Sequence, residues 1–328
     1  MKSSNTSTVW PDSLAQYKAF FDANPKYARI PEKEKIEIAR HFMSSTYADP
    51  TNDWAFKWAF SNSPEDLRML LVDILDEPID TISIGAGDAL AGTPSDKQAT
   101  LDILCTTTDE RQFIVEMQTT RKPDFRNRMF YYGAAAIHRQ VKTGSKAYDY
   151  EPVRVVAILD YVTRHGQVPK GKALFQYMLL EKETAEQFGN QIRLYMLELP
   201  RAILSPDKNK VEEWCYFFKN LPNFVGVPQD INPRFYRIMD KLRIDKMTDA
   251  ERTEYFKSGL DEYEREDIAK ANYDYGREDG FDAGLEKGRA EGAGEKSIEI
   301  ARKMLKKGIH ISDICEFTGL SEEEIARL

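Results

Sequence analysis

Cysteine and histidine are scarce in this sequence, and their spacing excludes several kinds of functional site. The three cysteines, Cys105, Cys215 and Cys315, lie 110 and 100 residues apart, which excludes a CxxC zinc motif and argues against a disulfide framework. The four histidines are scattered without the short spacing of metal ligands. The GxSxG, Walker A and GxGxxG patterns are also missing, so the usual serine-hydrolase, P-loop and dinucleotide-binding motifs are absent.

Long apolar segments are absent as well. No run approaches the roughly 18 apolar residues that a membrane-spanning helix needs. The first residues, MKSSNTSTVWPDS, contain neither the apolar segment nor the cleavage site of a secretory signal. We therefore expect a cytoplasmic protein that does not contact a membrane.

The charge of the chain is predominantly acidic. It has 54 acidic and 46 basic residues and a net charge of -8. A protein of this kind does not bind polyanions with its whole surface, so any binding of nucleic acid requires local positive charge. With 328 residues, 41% of them hydrophobic, the chain is long enough for one large domain or two modest ones.

The middle of the chain mixes strand and helix patterns. Residues 99–106 and 112–118 lie on either side of the turn TTDER and predict a β-hairpin, whose first strand has Leu101, Ile103 and Cys105 facing inward. Residues 152–162 form an apolar, β-branched run that is typical of a buried central strand. Further strands are predicted at 79–84 and 191–199, a loop at 85–96, and a helix at 124–142.

Composition divides the chain into four segments. The sequence predicts an N-terminal helical extension, an α/β domain, a charged helical segment with a glycine repeat, and a small helical module, at residues 1–45, 46–245, 246–295 and 296–328.

The predicted hairpin carries the residues with the clearest chemical meaning. Asp102 lies on its first strand, and Glu116 and Gln118 lie on its second strand. Because Glu116 and Gln118 are two residues apart, their side chains leave the same face of the sheet, and Asp102 can share that face. Two carboxylates and an amide are a ligand set of hard oxygens that suits Mg²⁺ together with water and phosphate oxygens.

An ordered series of sequence blocks resembles a known family. The D…ExQ pattern of the hairpin is similar to the PD-(D/E)XK nuclease signature, with glutamine in the usual lysine position and Leu101 in place of the proline. Around it stand TNDWAFKWAF, PVRVVAILD, LELP, EEWCYFFKN, MTDAERTEYFKSGLDE and TGLSEEEIARL. From about residue 47 to the end, the chain resembles the Rpn family of recombination-promoting nucleases, which are also labelled transposases.

The resemblance implies a fold, an activity and a metal site. The fold would be α/β of the restriction-endonuclease-like type, with a mixed central sheet flanked by helices and a helical C-terminal tail. The activity would be that of a Mg²⁺-dependent DNA endonuclease that promotes recombination. Asp102 and Glu116 would hold the metal, the carbonyl of Met117 would add a ligand, and Gln118 would orient the attacking water.

Glutamine cannot supply the positive charge that lysine brings to such a site. Lys97, which precedes the first hairpin strand, or Lys57, in the preceding helix, would lend that charge. Asp53 and Lys57 match the leading D-x-x-F-K block of the family. Asp53 is either a third acidic ligand or the N-cap of its helix.

Local basicity supports contact with DNA. Residues 121–146 contain seven basic residues and a single acid, Asp124. The segment follows Gln118 directly, so it lies beside the predicted metal site, and its cations would contact DNA phosphates. The residues predicted to bind DNA are Arg121, Lys122, Arg126 and Arg128.

The C-terminal region begins with a repeat. Glycines recur at every fourth position, at Gly276, Gly280, Gly284, Gly288 and Gly292. This repeat is either a spacer or a soluble helical element of self-association. After it, three short helices resemble a helix-turn-helix in outline, with Gly308 and Gly319 as C-caps and a capping box at Ser321. The last helix, SEEEIARL, has three consecutive glutamates that repel phosphate, so we favour a protein-contact module and expect a homodimer.

Two alternatives to hydrolysis remain open. The family label also implies a transposase-like strand transfer. A protein of another class would bind DNA with weak catalysis, or act by interaction through its C-terminal tail, although an intact D…ExQ site argues against this.

Overall fold

The computed structural model describes residues 13–85, 102–122, 124–141, 147–163, 165, 167–203, 208–263 and 295–328. The chain divides into two compact units, residues 1–265 and 266–328. None of the helices in these described ranges is long and apolar enough to cross a membrane.

In the described part of the first unit, six strands form one mixed sheet. They are β1 (Ile82–Gly85), β2 (Ile103–Thr107), β3 (Gln112–Gln118), β4 (Val153–Leu159), β5 (Leu174–Tyr177) and β6 (Ile192–Glu198). Their spatial order is β1-β2-β3-β4-β6-β5. The central strands β3, β4 and β6 are parallel, and the outer pairs are antiparallel.

Helices cover both faces of this sheet. The first unit contains α1 (Leu14–Ala23), α2 (Glu32–Ser44), α3 (Asp53–Ser61), α4 (Pro64–Leu75), α5 (Phe125–Gln140), α6 (Lys210–Asn220), α7 (Tyr236–Lys241) and α8 (249–263). One face packs against α3, α4, α6 and α7, and the other packs against α5. Because both faces are covered, all seven residues of β4 are buried. The predicted α/β fold with a mixed sheet and flanking helices is therefore confirmed.

The helices at the two ends of this unit pack on each other. Tyr17, Phe21 and Ala39, from α1 and α2, share a buried cluster with Phe256 and Leu260 of α8. The many acidic residues of 249–268 predict a solvated helix, and the described part of this segment is helical. Its apolar residues nevertheless recur at helical spacing, and that face is buried.

Several strand boundaries differ from the sequence prediction. Strand β1 begins three residues later than expected, and β2 begins after Asp102 rather than before it. Most of the predicted loop at 85–96 lies outside the described residues. Strand β5 was not predicted, because its four residues LFQY are too short to show a clear alternation.

The described part of the second unit consists of three helices joined by short turns. Residues 295–306 are helical and are followed by α9 (Ile311–Thr318) and α10 (Glu322–Ala326). Gly308 and Gly319 have φ of 74° and 71°, as expected for C-cap glycines. Ser321 forms the predicted capping box with Glu324. The glycine repeat lies outside the described residues.

Candidate active site

The β2–β3 hairpin brings together the two carboxylates that the sequence singles out. Ile103 pairs with Val115, so Asp102, just before β2, lies beside Glu116. The backbone N–H of Asp102 donates to Oε1 of Glu116 at 3.2 Å, and the N–H of Met117 donates to Oδ2 of Asp102 at 2.8 Å. The predicted hairpin is confirmed, and its register places both carboxylates at the same end of the sheet.

Helix α3 supplies a cation to this pair. The ammonium of Lys57 lies 3.1 Å from Oδ1 of Asp102 and 3.0 Å from Oδ1 of Asp53. Asp53 and Lys57 are four residues apart, so both project from one face of α3. The Lys57 ammonium therefore stands between two of the predicted metal ligands.

The start of α3 is fixed by two other residues. Asn52 is the N-cap and accepts from the N–H of Ala55 at 3.1 Å, so the N-cap alternative for Asp53 is wrong. Glu262 of α8 accepts from the N–H of Asp53 at 2.7 Å and from the side chain of Asn52 at 3.0 Å. A carboxylate at a helix N-terminus satisfies donors that have no partner inside the helix.

The two hairpin carboxylates are shielded from solvent to different extents, since Glu116 is buried and the side chain of Asp102 is 9% exposed. The Glu116 side chain is 1% exposed. Burial, followed by repulsion from Asp102, raises the pKa of Glu116 to about 8. Burial also raises the pKa of Asp102, against the attraction of Lys57. Both carboxyl groups therefore lack enough positive charge around them to ionise as they would in water.

The chemistry of this pair fits a divalent cation. Oε2 of Glu116 is buried and has no hydrogen-bond partner, although buried polar atoms almost always have one. Among the described residues, no three acidic, histidine or cysteine side chains group closely enough to hold a metal by themselves. A site built here would therefore combine the two carboxylates with a backbone carbonyl and water, which is a ligand set that Mg²⁺ accepts.

Gln118 ends β3 next to the carboxylates. Its side-chain N–H donates to the carbonyl oxygen of Met117 at 2.8 Å. Glu116 and Gln118 alternate with Met117 along the strand, so they share a face as predicted. The amide and the Met117 carbonyl, both predicted site groups, are thus in direct contact.

Arg128 of α5, which the sequence predicts to bind DNA beside the metal site, also contacts Glu116, and the sequence did not reveal that contact. Its Nη2 lies 3.7 Å from Oε2 of Glu116, and its guanidinium donates to the hydroxyl of Tyr132 at 3.1 and 3.2 Å. The short connection from β3 to α5 could have indicated this contact, because a right-handed crossover folds the first turns of the helix back over the strand end.

The other predicted DNA-binding residues lie along the same edge. Arg121 donates to the carbonyl of Val162, and Arg126 donates to the hydroxyl of Thr163 at 3.3 Å. Lys122 is exposed. Lys97 falls outside the described residues.

Comparisons with known proteins agree with this architecture. Residues 50–270 match the model of the PD-(D/E)XK nuclease family transposase, and residues 294–328 match the C-terminal helix-turn-helix domain of the Rpn/YhgA-like nuclease family. The recombination-promoting nuclease RpnA of Escherichia coli (strain K12) is 53% identical over 38 residues, which are 12% of this chain and 13% of RpnA. No solved structure matches the chain.

These matches confirm the resemblance that the ordered sequence blocks indicate, including the helix-turn-helix outline of the tail. The first match covers the sheet, the hairpin carboxylates and α3, and the second covers the tail helices. The chain therefore belongs to the PD-(D/E)XK nuclease family of transposases.

Proposed function

We propose that this protein is a metal-dependent DNA endonuclease that hydrolyses phosphodiester bonds at the Asp102–Glu116 pair. The observation that carries the proposal is Oε2 of Glu116, which is buried without a hydrogen-bond partner beside a second carboxylate, Asp102. The nearby cations, Lys57 next to Asp102 and Arg128 3.7 Å from Oε2 of Glu116, leave the pKa values of both carboxyl groups raised. A bound divalent cation would supply the further positive charge and favour ionisation of the pair.

Asp102, Glu116 and the carbonyl of Met117 would hold Mg²⁺ or another divalent ion. Asp53 would become a further acidic ligand only after leaving its ion pair with Lys57, which also pairs with Asp102. A divalent ion held by these groups would supply Lewis-acid chemistry for activating water and neutralising phosphate oxygens. The side-chain amide of Gln118 donates a hydrogen bond to the Met117 carbonyl. The proposed metal site consists of that carbonyl and the Asp102 and Glu116 carboxylates, at the end of β3.

Lys57, Gln118 and Arg128 act around this pair. Burial alone would lower the pKa of Lys57, but Asp102 and Asp53 outweigh it and raise the pKa above its ordinary value. Lys57 thus stays charged and neutralises a phosphate oxygen rather than serving as a base. The Gln118 amide has two N–H groups and one oxygen, so it can orient the attacking water. Arg128 adds a second cation to the side of Glu116.

A transposase-like strand transfer is the second candidate, favoured by the family description. It would use the same carboxylates, with a DNA 3′-hydroxyl in place of water as the attacking group. The two activities differ in their products, because hydrolysis leaves nicked or linear DNA and strand transfer leaves joined DNA.

Plasmid cleavage with Mg²⁺ or with EDTA tests the proposal. We expect nicked plasmid with Mg²⁺ and intact plasmid with EDTA. Asp102→Ala and Glu116→Ala should abolish cleavage while the protein stays folded, because each removes a metal ligand. The exposed Glu186 gives a matched control, Glu186→Ala, that should cleave like the parent. Cleavage at the parental rate by both hairpin variants would show that the site lies elsewhere.

A further inference from the structure

A second polar cluster lies on the same edge of the sheet as the candidate active site. The register of the parallel strands aligns Gln118 with Leu159, and Leu159 with Glu198. Neighbouring strands are about 4.8 Å apart, so the ends of β3 and β6 are separated by roughly 10 Å. The Glu198 cluster, which consists of Glu198, Thr163, His165 and Arg201, occupies the β6 end.

Glu198 is a fixed, buried anion at the centre of this cluster. Its side chain is 0% exposed. It accepts from the N–H of Thr163 at 3.0 Å and the hydroxyl of Thr163 at 2.5 Å, and it contacts Nε2 of His165 at 2.7 Å. Burial alone would raise the pKa of Glu198, but hydrogen bonds from Thr163, His165 and Arg201 hold it below its ordinary value. The carboxylate therefore stays ionised and orients the groups around it.

Arg201 is the positively charged member of the cluster, and its side chain is partly exposed. Its Nε donates to Glu198, its Nη2 donates to the carbonyl of Thr163 at 3.0 Å, and its side chain is 23% exposed. These two bonds use part of the five N–H donors of a guanidinium. Because two bonds hold the fork in place, little side-chain freedom is lost when it binds an anion.

Arginine side chains converge on the described part of the loop after β4. Arg121 contacts Val162, and both Arg126 and Arg201 contact Thr163. The acidic Asp160 at the start of this loop is already paired with Lys219 at 2.8 Å. Such a group of arginines attracts an anion, and guanidinium forks match phosphate oxygens in geometry.

We infer that Arg201, oriented by Glu198, binds a backbone phosphate of the DNA close to the phosphate at the candidate active site. The roughly 10 Å between the two strand ends places both contacts within one short stretch of DNA backbone. The inference rests on the proposed function, because it extends the DNA footprint of that site.

The test measures DNA binding by the full-length protein in EDTA, so that cleavage does not enter. Removing Arg201 alone would take the guanidinium away from the buried Glu198 carboxylate, so the more informative comparison is Glu198→Gln with the double variant Glu198→Gln/Arg201→Gln. Both lack the buried charge, and they differ only in the guanidinium. Lys182→Gln is the control, because this exposed lysine lies in the β5–β6 hairpin at the opposite edge of the sheet.

Loss of one phosphate contact flattens the dependence of log K on log salt by about 0.9 and weakens binding about eightfold at 0.1 M salt. We expect that difference between the double and the single variant, and no change in Lys182→Gln. Equal slopes for the single and double variants would overturn the inference, even if their melting temperatures differ. If the Glu198 variants do not fold, Arg201→Gln is compared with the parent, because Thr163 and His165 still contact Glu198 there, and an unchanged slope would also overturn the inference.

The outcomes separate this inference from the proposed function. A parent that cleaves with Mg²⁺, together with equal slopes for the two variants, would refute the phosphate contact alone. A parent that never cleaves, together with the expected slope change, would refute the nuclease proposal and leave the phosphate contact standing. A parent that does not bind DNA would refute both.

Discussion

Replacing Glu116 with glutamine should make the stability of the protein less sensitive to pH. Glutamine keeps the shape of the side chain and removes its ionisation. In the parent, the folded state binds a proton at Glu116 up to a pH of about 8, whereas the ordinary pKa is 4.5. Between these values the folded state holds a proton that the unfolded chain has released, so the free energy of unfolding falls as the pH rises.

The size of this fall follows from the two pKa values. The gap between 4.5 and about 8 corresponds to about 5 kcal/mol at 1.36 kcal/mol per pKa unit. Asp102 contributes to the raised pKa, and the two groups titrate together. We therefore expect the parent to lose about 2–4 kcal/mol relative to Glu116→Gln over the three pH units between pH 5 and pH 8.

Urea unfolding of both proteins in EDTA at pH 5, 6, 7 and 8 measures this difference. Glu186→Gln, at an exposed carboxylate, should follow the parent at every pH. Adding Mg²⁺ at pH 8 should restore stability to the parent, by about 2.7 kcal/mol at 100 times the dissociation constant, and should do little for Glu116→Gln. If the free energies of unfolding of the parent and of Glu116→Gln change in parallel over this pH range, the argument that Glu116 is a buried carboxyl group with a raised pKa is refuted.

Three further predictions concern catalysis, binding and assembly. Gln118→Lys should keep or raise plasmid cleavage, because it supplies charge near the phosphate, whereas Gln118→Leu should lose most of it; equal rates for all three proteins would remove Gln118 from the mechanism. Neutralising Arg121 and Lys122 together should weaken binding to all DNA sequences alike and flatten the salt dependence by about one to two, and a loss confined to one sequence would contradict this. Light scattering should show a dimer for the full chain and a monomer after truncation near residue 270, since the short tail helices bury little by themselves; a dimeric truncated form would place self-association elsewhere.

Local patterns in the sequence were enough to predict the centre of the site. The apolar residues of 112–118 indicate a strand, and the turn before them indicates a hairpin, whose register joins Asp102 to Glu116. The apolar run at 152–162 gave the buried central strand in the same way. These features depend on neighbours that are close in sequence, so periodicity and turn chemistry contain the information.

Contacts between distant segments could not be predicted in this way. The contact of Glu262 with Asp53 joins residues 209 apart, and nothing in the local pattern of either segment indicates it. Arg128 was predicted to bind phosphate, and its proximity to Glu116 depends on the angle at which α5 crosses the sheet. Strand β5 forms because it can pair with β6, so tertiary structure decides the conformation of a segment whose own strand propensity is weak.

The contact between Glu262 and the start of α3 also has a consequence for protein synthesis. Domains fold from the N-terminus as the chain emerges from the ribosome at about 5–20 residues per second. Glu262 is therefore synthesised about 10–40 s after Asp53, because 209 residues separate them. During that interval α3, which carries Lys57, has its N-cap Asn52 but lacks the hydrogen bonds from its N-terminus to Glu262. A nascent chain would thus complete the proposed nuclease only when most of it has been made.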